Sequence, residues 1–234
     1  MATAFLVAAF VRGYSGFGFS ALVVSASSLV TNPLYFVAVV MFCEFIMTIQ
    51  QWGQVGRDVN WRKVGTLMAG AAVGVPIGLW AITGVGVDMA RAIIAVYVLV
   101  MCGVLLLGWT LKKPAGDAAH VATGVISGLA NAPGMGGLPV ATFFAAQGVN
   151  ATVFRATLIA YFAALDLYSA PLMWWHGLVT LDTFFAVALS LPLMVLGIWL
   201  GGRHFLRTDP QDFRRFAIFL LAGLAVLGLL KSAL

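Results

Sequence analysis

Long apolar runs alternate with short polar loops along the chain, and the lengths of the runs predict helices that cross a membrane. Eight such runs follow one another, at 4–31, 34–52, 64–83, 89–111, 119–148, 153–175, 183–201 and 213–233. An α-helix needs about 20 apolar residues to cross the hydrocarbon core of a bilayer. The pattern therefore predicts an all-α polytopic membrane protein.

The first and fifth runs are the longest, and each contains a glycine-rich break. Residues 13–20 read GYSGFGFS, and residues 131–139 read NAPGMGGLP. A bilayer holds no water to satisfy free backbone groups, so irregular backbone at membrane depth is tolerated only where protein buries it or a polar cavity receives it. Two such breaks at matching positions of two halves indicate a shared cavity between them.

Composition narrows the class further. The 234 residues are 62% hydrophobic and 9% charged, a balance that soluble globular domains do not approach. The net charge of +5 would suit a nucleic-acid-binding protein, but most of the 13 Lys and Arg residues lie in short loops between apolar runs. Because no basic face on a soluble segment is left for nucleic acid, we expect the lipid bilayer as the partner instead.

The two halves of the chain resemble each other when one is shifted by 118 residues. Gly16 then aligns with Gly134, and Asn32 aligns with Asn150. In both halves a broken run comes first and three unbroken runs follow, an order that favours a duplication. We predict a first repeat at 1–113 and a second at 114–234. Each would hold one hairpin, at 4–31 or 119–148, and three helices, at 34–52, 64–83 and 89–111 or at 153–175, 183–201 and 213–233.

Loop charges predict how the runs cross the membrane. The basic loops 57–63, 112–120 and 203–215 should all be cytoplasmic, and Arg155 joins them. If all eight runs crossed, the first and third of these loops would lie on opposite sides. The conflict disappears if both broken runs are re-entrant hairpins, because a half-helix of about ten residues rises about 15 Å and returns. The repeats are then inverted and both termini face outside; the alternative is a spanning helix unwound at its middle.

The two breaks carry the candidate substrate site. After each break a new half-helix begins, near Phe19 and near Leu138, and its free N–H groups and positive dipole end face the cavity. Two converging N-termini bind anions, and glycines allow positive φ and a close approach of the solute. The alternative is that the glycines only permit close helix packing. The candidate substrate-binding residues are Arg12, Ser15, Gly16, Gly18, Phe19, Ser20, Asn131, Gly134, Gly136, Gly137 and Leu138.

Charged side chains inside apolar runs are the next candidates. Glu44 and Asp166 are carboxylates at membrane depth, where burial is costly unless the group is paired, protonated or faces a cavity. Either is a candidate to carry a coupling proton, and the alternative is a structural hydrogen bond to a neighbouring helix. Arg12 either binds an anion or snorkels to the outer interface. Asn32 and Asn150 are predicted turn residues.

The broken segments resemble those of a known family. The segments GYSGFGF at 13–19, Ser127-Gly128 and GMGGLP at 134–139, together with the duplicated arrangement, are similar to the sulfite exporter TauE/SafE family. The resemblance spans essentially the whole chain. It implies a small duplicated carrier that moves sulfite, sulfonates or related organosulfur anions across the bacterial plasma membrane.

The leading hypothesis is a secondary transporter that exports a small sulfur-containing anion by alternating access. A passive anion channel and a non-transporting membrane scaffold or sensor are the alternatives. The scattered His120, His176 and His204 suggest no metal site, and no Ser/His/Asp grouping suggests catalysis. We therefore expect no enzyme activity and no cofactor, and a small anion and coupling protons as ligands.

Overall fold

The computed structural model describes residues 1–107, 110–111 and 115–205, and within them the fold is all helical. Residues 56–58 form one turn of 3-10 helix, and the described part contains no strand. The α-helices are α1 (Ala2–Ser15), α2 (Phe19–Ser28), α3 (Leu34–Val55), α4 (Trp61–Thr83), α5 (Val87–Leu106), α6 (Asp117–Asn131), α7 (Gly137–Ala146), α8 (Ala151–Trp175) and α9 (Leu181–Phe205).

Five of these helices are long and apolar enough to cross a bilayer, namely α3, α4, α5, α8 and α9. They correspond to five of the six unbroken runs, and the sixth, at 213–233, lies outside the described residues. Helix α4 begins three residues before the apolar run, at Trp61, because the Asn60 side chain accepts a hydrogen bond from Lys63 N at 3.2 Å. This N-cap allows the helix to start in polar sequence.

Both glycine-rich segments separate two short helices, α1 from α2 and α6 from α7. Helix α6 has 15 residues and α2 and α7 have ten each. At 1.5 Å per residue such helices reach only about 15 to 22 Å, which is less than the hydrocarbon core of about 30 Å.

Ring contacts show that the chain reverses at each break. Phe5 in the first turn of α1 lies 6.3 Å from Phe36 in the first turn of α3, between ring centroids. His120 in the first turn of α6 lies 5.1 Å from Phe143 in the last turn of α7. A continuous helix through either break would carry these rings far apart, so the segments after the breaks return toward the side from which the chain came.

Glycines allow helices from the two halves of the chain to pack closely. On α4, Gly70, Gly74 and Gly78 lie against the α6 backbone at Val121, Val125 and Leu129 respectively, so the two helices run parallel. Small residues at four-residue spacing let two helix backbones approach this closely. On α9, Gly197 and Gly201 pack against α1 in the same parallel manner, at Leu6 to Phe10 and at Phe10 to Tyr14.

Helices α3 and α8 connect these two parallel pairs, because α3 packs on α8 and α9 and α8 packs on α4. Asn60 N, at the N-cap of α4, donates to Thr157 Oγ1 near the start of α8 at 3.1 Å. Further along, Tyr168 Oη donates to the Ala72 carbonyl at 2.9 Å, which aligns α8 parallel to α4. The apolar core extends through both halves, so the broken segments lie inside the helical bundle.

Candidate functional site

The first break is a tight left-handed turn. Gly16 has φ 81° and Gly18 has φ 92°, conformations that a side chain disfavours, and α2 begins directly afterwards at Phe19. The Ser15 hydroxyl lies 2.8 and 3.0 Å from the carbonyl oxygens of Val11 and Phe17, and its one proton serves either acceptor. Its donor is therefore used by the local backbone.

The second break uses its glycines differently. Gly134 has φ 76°, whereas Gly136 has φ −57°, so the expected positive φ is found at only one of these two residues. A Cβ at Gly136 would lie 2.9 Å from the Ser127 carbonyl oxygen, and close packing requires glycine there. The Gly136 carbonyl accepts from Ser127 Oγ at 2.5 Å, and Tyr161 Oη donates to the same hydroxyl at 2.7 Å.

A small cavity lies between the first turn of α2, the second break, α3 and α8. The cavity volume open to the centre of a water-sized sphere is about 10 Å³, which is room for about one water molecule. In this conformation the cavity is too small for an oxyanion. Its lining comprises Ser20, Val37, Val40, Met41, Glu44, Asn131, Gly134, Gly136, Gly137, Phe162, Leu165, Asp166 and Met173.

The cavity brings together part of the predicted set. Five of the eleven candidate substrate-binding residues line it, together with both candidate proton carriers. The five are Ser20, Asn131, Gly134, Gly136 and Gly137. The other six do not line it and are Arg12, Ser15, Gly16, Gly18, Phe19 and Leu138; Gly18 caps α2, and Leu138 is a buried residue of α7.

Arg12 is fully buried and forms an ion pair. Its Nη1 lies 2.9 Å from Glu44 Oε1, its Nη2 donates to Thr48 Oγ1 at 3.1 Å, and its guanidinium lies 5.5 Å from the centre of the Phe162 ring. With 0% of its surface exposed, Arg12 does not snorkel to an interface, so that alternative is wrong. Its charge is compensated by Glu44 inside the protein.

Asp166 is the second carboxylate of the cavity and lacks the pairing that Glu44 has. It is 4% exposed, and its Oδ2 has no hydrogen-bond partner in the described part of the chain. Asn131 donates instead to Ser169 Oγ at 2.7 Å, one turn further along α8. A buried carboxylate oxygen without a partner is costly in free energy.

Asn32 and Asn150 hold turns, as their sequence context predicts. Asn32 Oδ1 accepts from Leu34 N at 3.0 Å, and Asn150 Oδ1 accepts from Thr152 N at 2.9 Å. Both contacts stabilise the start of the long helix that follows a broken segment.

Sequence reasoning missed several residues of this region. Arg155 was expected among the cytoplasmic loop charges, but it is buried in the second turn of α8 and its Nη2 donates to the Gly13 carbonyl at 2.8 Å. Phe162 and Met173 line the cavity although their types give no functional signal. The spacing of Arg155, Phe162 and Asp166 by seven and four residues places them on one face of α8, and this was the available signal.

This fold defines a class of protein, namely a helical, multi-pass membrane protein with an interior cavity beside broken helices. The chain belongs to the sulfite exporter TauE/SafE family, whose model matches residues 1–228. Membership implies a membrane transporter of sulfur anions. No curated protein and no solved structure matches the chain.

Proposed function

We propose that this protein is a secondary transporter that exports a small sulfur-containing anion, of the sulfite or organosulfonate class, from the bacterial cytoplasm. The observation that carries the proposal is the cavity at which the first turns of α2 and α7 meet. Both turns come from the glycine-rich breaks, and both belong to helices too short to cross the bilayer.

The electrostatics of this cavity suit an anion. Ser20 is the second residue of α2 and Gly137 is the first residue of α7, so both helix N-termini adjoin the cavity. In the described part of the chain, no side chain caps the first turn of either helix. Each terminus contributes roughly half a positive charge, and free N–H groups bind oxyanions.

Charge balance supports coupling to protons. Arg12 offsets Glu44, whereas Asp166 has an unpaired oxygen. The two helix N-termini together offset about one negative charge. A bound monoanion neutralises the positive charge of the two helix N-termini, so Asp166 must be protonated when the anion is present. Anion and proton would then bind together, with Asp166 as the proton carrier and Glu44 holding Arg12.

An inverted repeat supplies the geometry for alternating access. The first unit would hold the α1–α2 hairpin with α3 to α5 and the second the α6–α7 hairpin with α8, α9 and the run at 213–233, divided between 113 and 114. Two observations support it: the reversal at each break, and the matched packing of α1 on α9 and of α6 on α4. The midplane site would then open to either side as one unit rocks against the other.

Ser20 provides the test. Ser20→Ala removes one hydroxyl from the cavity. Ser25→Ala removes from the same helix a buried hydroxyl that does not line the cavity and has no partner among the described residues. In proteoliposomes loaded with sulfite, thiosulfate, sulfate or short sulfonates, we expect the wild type and Ser25→Ala to move at least one sulfur anion with saturation. Ser20→Ala should weaken its binding by about tenfold, the loss of one hydrogen bond to a charged group.

The same assay separates the alternative functions. Flux without saturation and without dependence on a proton gradient would identify a channel. Absence of flux for every anion in the wild type would favour a scaffold or sensor. Equal affinities in Ser20→Ala and Ser25→Ala would place the anion outside this cavity.

A further inference from the structure

Helix α3 carries a polar face that runs from the cavity toward one end of the helix. Glu44, Thr48 and Gln51 follow at intervals of four and three residues, so they lie on one face, and all three are buried. Gln51 lies about 10 Å beyond Glu44 along the helix axis. In the opposite direction the same face is apolar and presents Val37 and Val40 to the cavity.

Gln51 is the unexplained residue of this face. It is 1% exposed, and neither Oε1 nor Nε2 has a hydrogen-bond partner in the described residues. A buried amide without partners is destabilising, and a leucine of similar size would remove that penalty. A purely structural role therefore gives no reason for glutamine at this position.

Two buried arginines flank the same region. Arg12 reaches Thr48 on α3, and Arg155 reaches the Gly13 carbonyl, next to Arg12 in the chain. The hydrogen bond from Asn60 N, just after α3, to Thr157 Oγ1 on α8 places Gln51 and Arg155 near the same end of the bundle. Polar and cationic groups thus extend from Glu44 to that end.

We infer that this face is the cytoplasmic access path for the anion, with Gln51 as a binding position on it between the cytoplasm and the midplane cavity. The inference rests on the proposed function and on the orientation predicted from the loop charges, in which the C-terminal end of α3 is cytoplasmic. Arg12 and Arg155 supply the positive charge, and the Gln51 amide donates to the passing anion. In this conformation, protein acceptors hold both arginines and the path is closed.

The first arm of the test uses two neighbouring glutamines. Gln51→Leu removes the buried amide, while Gln50→Leu changes an exposed residue of the same helix. In proteoliposomes, Gln51→Leu should slow sulfite flux about tenfold, as expected for the loss of one hydrogen bond to a charged group. It should keep wild-type sulfite-induced thermal stabilisation and unfold at or above the wild-type temperature. Gln50→Leu should match the wild type in both assays.

The second arm maps access directly. In a background without Cys43 and Cys102, Gln51→Cys should react faster with an anionic than with a cationic thiol reagent, and only from the cytoplasmic side. Gln50→Cys should show no such charge preference. Wild-type flux in Gln51→Leu, or equal reaction of Gln51→Cys with both reagents, would overturn the path.

The two proposals fail in different ways. If the wild type moves no sulfur anion, the proposed function is wrong. If the wild type and Gln50→Leu transport sulfite and Gln51→Leu transports it equally fast, the midplane site stands and only the access path is wrong.

Discussion

At the scale of single residues, the two carboxylates of the cavity separate into different roles. Glu44 was recognisable in the sequence as a costly charge, but its partner Arg12 lies 32 positions away and only folding brings the two within 2.9 Å. Asp166 carries the same signal in the sequence, and its Oδ2 has no hydrogen-bond partner within residues 1–107, 110–111 and 115–205. Identical chemistry in the sequence thus has two different environments in the structure.

Amide substitutions should distinguish these roles. Glu44→Gln leaves the Arg12 charge buried without its counter-charge and should destabilise the protein by about 3 kcal/mol or more, because breaking a buried pair exposes the cost of the remaining ion. Asp166→Asn should unfold at the wild-type temperature or above, yet lose accumulation driven by a pH gradient while retaining anion exchange. Thermal unfolding and proteoliposome uptake measure both effects. Normal pH-driven accumulation in Asp166→Asn would remove it as the proton carrier.

At the scale of helices, glycine spacing determines which elements meet. The four-residue glycine repeat on α4 is typical of close helix packing, whereas only the structure identifies α6 of the other half as the partner. The breaks were located correctly at Gly16 to Gly18 and near Gly136 because glycine clusters interrupt helices locally.

Two glycines of α4 provide a matched test of this packing. A Cβ at Gly74 would collide with the Val125 carbonyl oxygen, whereas a Cβ at Gly65 would meet no described atom within 4 Å. Gly74→Ala should lower stability by about 1 to 3 kcal/mol, the usual cost of overpacking. Gly65→Ala should raise it by about 0.5 to 1 kcal/mol because alanine favours helix. Equal unfolding temperatures for the two variants would contradict the parallel α4–α6 contact.

At the scale of the whole molecule, the reversals at the two breaks decide the topology. With hairpins, the α3–α4 loop and the residues before α6 share one side of the membrane, the cytoplasmic side in the proposed orientation, and the α8–α9 loop lies on the other side. If the second break were part of a spanning helix, all three positions would share one side.

Single cysteines at Asp58, Ala118 and Thr180, all exposed positions, test the topology in a background without Cys43 and Cys102. An impermeant thiol reagent added outside should label Thr180→Cys alone in intact cells, and all three variants after the membrane is opened. Labelling of all three, or of none, from outside would exclude the hairpin at the second break.

The sequence by itself determined the helical membrane class, the family, the positions of both breaks and the residues with unusual chemistry at membrane depth. These features depend on local composition and on run length, which a linear pattern contains. Tertiary structure decided that Glu44 pairs with Arg12, that Arg155 donates a hydrogen bond to the Gly13 carbonyl, and that Gln51 is buried without a partner in the part of the chain that the structure describes. Those outcomes depend on which helix faces meet, and the paired residues lie 32 and 142 positions apart in the chain. The apolar pattern of a buried bundle is too uniform to specify such long-range pairs.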